Sequence, residues 1–351
     1  MKKNQKIITM AFSLIFLNFN GLAQENSKNK DFCLNIRENL QENIFSEEIK
    51  DYQNFLKIKF FEINEKDNSY SPFALRGELS SFKDHYKALK DYQYSTQNNL
   101  IAIDVSKLFE EVKLSYLKLI PNFKLKNEQK VLTIIKNISL FQFQDALELI
   151  EKEPTLKKTY LSGFKGCGLT LANLNAGSST QIFLDDQKGD VVTICPSYQK
   201  FGELFGHDID ASIFIKSVFA HEIAHSFDLK SKLINYEKVE KCLGKITLNL
   251  STGKTSLPEE TYNEATADMW ASLINGELYS KAISDGVSSE KLQKTYRLIV
   301  QKYLDKKSGK QHLPGHLRAY EVFLANEKIS SALGCQQPRT RFNCQLVDLI
   351  K

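Results

Sequence analysis

Residues 212–228 read SIFIKSVFAHEIAHSFD, and the reading of the whole chain turns on them. His221, Glu222 and His225 fall in the pattern H-E-x-x-H. Ile213, Phe214, Val218, Phe219, Ile223, Ala224 and Phe227 surround them. A segment this apolar predicts a buried helix, with Asp210 or Ser212 available as its N-cap. Residues four apart share a helix face, so His221 and His225 can reach one metal ion together. Glu222 stands next to the first ligand, where it can take a proton from a metal-held water. The plain alternative is an accidental match, because most histidines are solvated or satisfied in a core.

The downstream sequence favours the metal reading. A second helix is predicted to start near Pro258, Glu259 and Glu260, where proline and acids suit a first turn. It runs through TYNEATADMWASLINGELY, residues 261–279. Glu264 and Asp268 are four apart and share a face. Glu264 can supply a third zinc ligand, and Asp268 can fix the tautomer of a ligating histidine. Two solvated acids are the alternative, but Ala265, Ala267, Met269, Trp270 and Ala271 argue for a packed helix. Zinc with three protein ligands and one open position is the catalytic arrangement. A third histidine close behind the motif is excluded, because Asp228 and Ser231 stand where that class has glycine and histidine.

The rest of the chain frames this site. A length of 351 residues allows one large domain or two modest ones. Hydrophobic content of 42% and charged content of 25% are ordinary for a globular protein. Residues 1–23 read as a signal peptide: Lys2, Lys3 and Lys6, then an apolar run over 7–17, then Gly21, Leu22 and Ala23. An uncleaved anchor is the alternative for that segment. No other stretch is apolar enough to span a membrane. Without the three lysines of residues 1–23, the net charge of +5 falls to +2. That is too weak to argue for nucleic acid or an anionic membrane. Six cysteines follow, at 33, 167, 195, 242, 335 and 344, with no C-x-x-C pair. An even number in an exported chain predicts three disulfides, whose pairing spacing does not choose.

Residues 24–155 are expected to form a helical N-terminal region, with helices over 104–119 and 127–151 separated by Pro121. Glycines become frequent beyond residue 160, and residues 180–184 and 191–195 read as strands joined by a turn at 185–190. Such a hairpin serves either as plain structure or as an edge that holds an extended peptide.

Three motifs together resemble the neprilysin family of zinc metallopeptidases. The first is HEIAHSFD over 221–228, similar to that family's HE-I-x-H-x-FD. The second is NEATAD over 263–268, where the family usually reads E-N-I-A-D. The third is HLPGHLR over 312–318, close to H-x-P-x-x-x-R, followed by Cys335 and Cys344. The resemblance covers roughly residues 163–351. It implies an α+β, mainly helical chain: a thermolysin-like zincin domain with a small sheet over 156–351. It implies one zinc ion on His221, His225 and Glu264, with Glu222 as general base and Asp268 behind His221. By the same resemblance His312 would donate to the oxyanion, and Arg318 would orient the substrate backbone or support the site. His316 matches no role. The family frame further implies disulfides Cys33–Cys335 and Cys242–Cys344, which leaves Cys167–Cys195. Family members are usually longer, with a large helical lobe over the cleft. Their Asn-Ala-aromatic substrate strand is a second departure: residues 181–183 hold a comparable place before the turn, and Asn175 and Ala176 are the alternative.

The expectation is therefore a secreted or periplasmic zinc endopeptidase or oligopeptidase acting on peptides or proteins, with no nucleic-acid partner and no membrane span after signal cleavage. Its rivals are a catalytically silent zinc-containing binding protein and a zinc hydrolase of a non-peptide, cell-wall amide.

Overall fold

The structure is a computed structural model that describes Cys33, residues 83–84, 86–87, 103–164, Cys167, 176–179, 190–199, Gly202, 208–231, 237–239, Lys241, 259–301, Leu313 and 318–335. The expected signal segment, His312, His316, Cys242, Cys344, residues 180–184 and the 185–189 part of the expected turn lie outside these.

Helices dominate the described residues. Helix α1, Val105–Leu119, starts on Asp104, whose carboxylate accepts from the Lys107 N–H at 3.0 Å. That satisfies one donor the helix end would otherwise leave bare. Val105, Phe109, Val112 and Tyr116 form its buried stripe at the expected helical spacing.

The expected helix over 127–151 is corrected. It divides into α2 (Glu128–Asn137), strand β1 (Ser139–Phe141) and α3 (Phe143–Lys152). Val131, Ile135 and Ile138 do fit a helical period, but Ile138 is extended and ends α2. The Ser139 N–H donates to the Asp190 carbonyl at 3.1 Å, which starts pairing with a distant strand. Gln142 and Asp145 then restart a helix by reciprocal capping. Helix α4 (Lys157–Ser162) follows.

The sheet has three strands in the order β1-β3-β2. Strand β3, Val191–Ile194, matches the expected strand over 191–195, and all four residues are buried. It pairs parallel with β1 and antiparallel with β2, Ala176–Ser179. A central strand covered on both faces reads as the continuous apolar run that VVTI nearly is. Strand β1 precedes residue 155 and β3 follows it, so one sheet joins both parts of the chain. Cys167 and Cys195 form a disulfide beside this sheet, with Cα atoms 5.4 Å apart. Cys33 and Cys335 form a second, with Cα atoms 5.7 Å apart. Both pairs are as expected.

Against the sheet packs α5 (Ala211–Ser231), and α6 (Glu259–Ser284) packs along α5. Asp210, of the two candidate caps, accepts from the Ile213 N–H at 3.0 Å. Helix α5 buries Ile213, Phe214, Ile215, Val218, Phe219, Ala220, Ile223, Ala224 and Phe227, so it is apolar nearly all round. A polar tie joins it to α6: the Ser217 hydroxyl lies 2.7 Å from Asn275 Oδ1. Helix α7 (Ser289–Gln301), a wide helical turn over Arg318–Phe323 and helix α8 (Glu327–Ala332) complete the described core.

Candidate metal centre

His221 and His225 project from one face of α5, as their spacing requires, and Glu264 meets them from α6. His225 Nε2 lies 3.0 Å from His221 Nε2 and 3.3 Å from Glu264 Oε2. His221 Nε2 lies 3.1 Å from the same Glu264 oxygen. Three donor atoms therefore converge on one point. Among the described residues, no other His, Cys, Asp or Glu joins them.

The separations test the fit to a metal. Four-coordinate zinc with bonds of about 2.0–2.1 Å places neighbouring donors roughly 3.3 Å apart. The observed spacing is within a few tenths of that value. Two imidazoles and a carboxylate suit zinc among other divalent transition ions. These residues fit such an ion, and the donor set alone does not choose which.

The far side of His221 is anchored. Its Nδ1 lies 2.9 Å from Asp268 Oδ1. Arg318 grips Asp268 from behind: Nε and Nη2 each donate to one carboxylate oxygen at 2.5 Å. Arg318 is 0% exposed and Asp268 1%. A fork of this kind fixes the carboxylate plane, which in turn fixes the imidazole.

Burial opposes a charged His221, yet hydrogen bonding to Asp268 and Glu264, with the charges of Asp268 and Glu222, pushes it up to about 10. Burial also opposes a charged Asp268, but the Arg318 guanidinium, then His221, hold its carboxyl below the usual range. The surroundings thus favour positive charge where the three donors meet, and a bound cation would meet the same demand.

Exposure is graded across the site. Asp268 and Arg318 are sealed, the His221 side chain is 6% exposed, and that of Glu264 reaches 23%. The donor cluster thus has a buried back and a more open front. Glu222 is buried beside its ligand neighbour.

The structure brings together five of the seven residues singled out by sequence: His221, His225, Glu264, Asp268 and Arg318. Glu222 follows His221 on α5 and is buried, and its charge acts on His221. His312 lies outside the described residues. Sequence alone marks nothing at Tyr116 beyond its place in the predicted helix over 104–119. Its hydroxyl donates to the Ala220 carbonyl at 2.7 Å, directly before His221. No motif signals that contact, because the partners are 104 residues apart.

Among the described residues, no helix is long and apolar enough to cross a membrane. Two disulfides are in keeping with an oxidising compartment. Comparison of the chain with protein-family models, with curated proteins and with solved structures found no match, so the site rests on its own geometry.

Proposed function

We propose that this chain is an exported zinc-dependent endopeptidase or oligopeptidase, a short relative of the neprilysin-like zincins. One observation carries the reading. Among the described residues a three-donor cluster has a more open front, its first histidine is backed by a buried carboxylate, and a glutamate adjoins that histidine in sequence. Structural zinc sites are closed by four protein ligands, whereas hydrolytic ones keep a position free.

His221, His225 and Glu264 would hold the ion, which would supply Lewis acidity toward a carbonyl oxygen and a lowered pKa for water. Glu222 takes the proton of the attacking water and passes it to the leaving amine. Asp268 keeps His221 oriented with Nε2 toward the ion. Arg318 is fully buried on Asp268, which favours the supporting role over direct contact with substrate. His312 is assigned the oxyanion donor by the motif alone. Strand β2 pairs with β3 and packs near α5, and among the described residues no strand pairs with its other edge, where an extended peptide would add by backbone hydrogen bonds.

The test is digestion of a mixed pool of unstructured peptides, read by mass spectrometry. The purified protein and Glu222→Gln are compared with and without a zinc chelator. Cuts are expected from the untreated wild type alone, with Glu222→Gln retaining its zinc. Cuts that survive chelation or the Gln substitution would overturn the mechanism. Zinc binding without any cut would move the assignment to a silent binding protein or a non-peptide hydrolase.

A further inference from the structure

Tyr116 belongs to α1, in the part of the chain that carries no chemical motif, and it is fully buried. Its side chain makes two separate contacts with the ligand helix. The hydroxyl donates to the carbonyl of Ala220, the residue before His221. The ring meets Phe227, two residues past His225, edge-on with centroids 5.2 Å apart. Positions 220 and 227 are two helical turns apart and share a face. One side chain therefore holds α5 on either side of the turn that carries both histidines.

The hydroxyl is not needed to satisfy the carbonyl. Within a helix the Ala220 carbonyl is already in place to accept from the N–H four residues on. The second donor adds direction, because it fixes the roll of α5 against α1. Phe227 passes the contact on to α6, where it meets Trp270 edge-on at 5.2 Å. Trp270 stands two residues beyond Asp268, so one aromatic series links α1 to both ligand-bearing helices. Burial, and after it the charge of Asp228, push the Tyr116 phenol well up, which keeps its proton available for donation. A second contact between α1 and α5, Phe109 edge-on to Phe219 at 5.2 Å, lies at the same interface and involves no polar atom.

We propose that Tyr116 is a positioning residue of the metal centre: its hydroxyl, through the Ala220 peptide, sets the orientation of the His221–His225 turn toward the ion. The inference rests on the metal-binding reading of that cluster. Metal sites require donors placed to within about 0.2 Å of bonding distance, and partners behind the ligands change affinity by roughly 10–100-fold. Helix α1 is then part of the working site and not only its support.

Tyr116→Phe removes the hydroxyl and keeps the ring. Phe109→Leu, at the same interface, removes ring packing, with the Lys113 ammonium that lies over that ring at 5.6 Å, and touches no hydrogen bond to α5. Zinc affinity is measured on both by competition with a chromophoric chelator, and Co2+ loading reports ligand geometry through its visible absorption bands. Tyr116→Phe is expected to weaken zinc about tenfold or more and to shift the Co2+ bands. Phe109→Leu is expected to lower the unfolding midpoint and leave the bands as in wild type. Wild-type affinity and bands in Tyr116→Phe would overturn the proposal, as would a Tyr116→Phe chain that fails to fold or a Phe109→Leu chain with the same band shift. A wild-type protein that takes up neither metal would instead overturn the metal reading on which the proposal stands.

Discussion

The fate of one proton separates a poised ligand from an ordinary histidine. An unperturbed imidazole is mostly neutral above about pH 7. His221 is pushed up to about 10, so without metal it keeps its proton well past neutrality. The sign follows directly: a ligating histidine must give up that proton, so metal uptake releases it at any pH below the raised value. At about pH 8, zinc uptake by the metal-free protein should release close to one proton. An indicator in weakly buffered solution reads this, and release near zero would refute the raised affinity. Asp268 carries the companion expectation. Replacing it with Asn removes the negative charge that the buried Arg318 Nε and Nη2 grip. Breaking one partner of a buried pair costs roughly 3–5 kcal/mol. Denaturant unfolding of metal-free Asp268→Asn should show a loss of that order, and a loss under about 1 kcal/mol would place the charge elsewhere.

Helix α6 does two jobs along its length. Its first turns carry Glu264 and Asp268, and its later turns receive α8. There Gly276 permits a close approach that no side chain would. An added Cβ would lie 2.7 Å from Asn326 Oδ1 and 2.9 Å from its Nδ2. The crowded side chain is committed on both ends: Oδ1 caps α8 by accepting from Lys328 N–H at 3.0 Å, and Nδ2 donates to the Ser272 carbonyl at 2.9 Å. Helix propensity alone predicts that Gly→Ala gains about 1 kcal/mol. Overpacking at about 1–3 kcal/mol and loss of a cap at about 1 kcal/mol outweigh it. Gly276→Ala should therefore lower the unfolding midpoint, and an increase would show that Asn326 swings aside without loss. Residues 127–151 teach the related lesson that a periodic apolar run does not mark where an element stops. Ile138 suits either structure, and the pairing of Ser139 with Val191 decides between them.

At the scale of the molecule, the candidate ion would stitch together helices whose ligands are 43 residues apart, His221 and Glu264. Anything that binds only the folded chain stabilises it by mass action. Zinc at about a thousandfold above its dissociation constant should add about 4 kcal/mol. A chelator should lower the thermal midpoint and excess zinc should restore it; an unchanged midpoint on chelation would remove the ion from the folded state. The Cys167–Cys195 bridge closes a loop of 28 residues. Cys167→Ser with Cys195→Ser should cost about 3–4 kcal/mol on loop-closure grounds, again read by denaturant unfolding.

The sequence by itself determined the site's inner group and its helices. H-E-x-x-H needs only the helical repeat to place His221 and His225 together, and the same repeat places Asp268 one turn from Glu264. The apolar surround of residues 212–228 sufficed to predict burial, and the motif resemblance supplied Cys33–Cys335. Tertiary structure alone decided that the Arg318 side chain is spent on Asp268. It also decided that β1 interrupts the second predicted helix, and that Tyr116 reaches the peptide before His221. Those outcomes depend on contacts between residues 50 to 104 positions apart. Local periodicity carries no information about such pairs, because their energy exists only once the helices have packed.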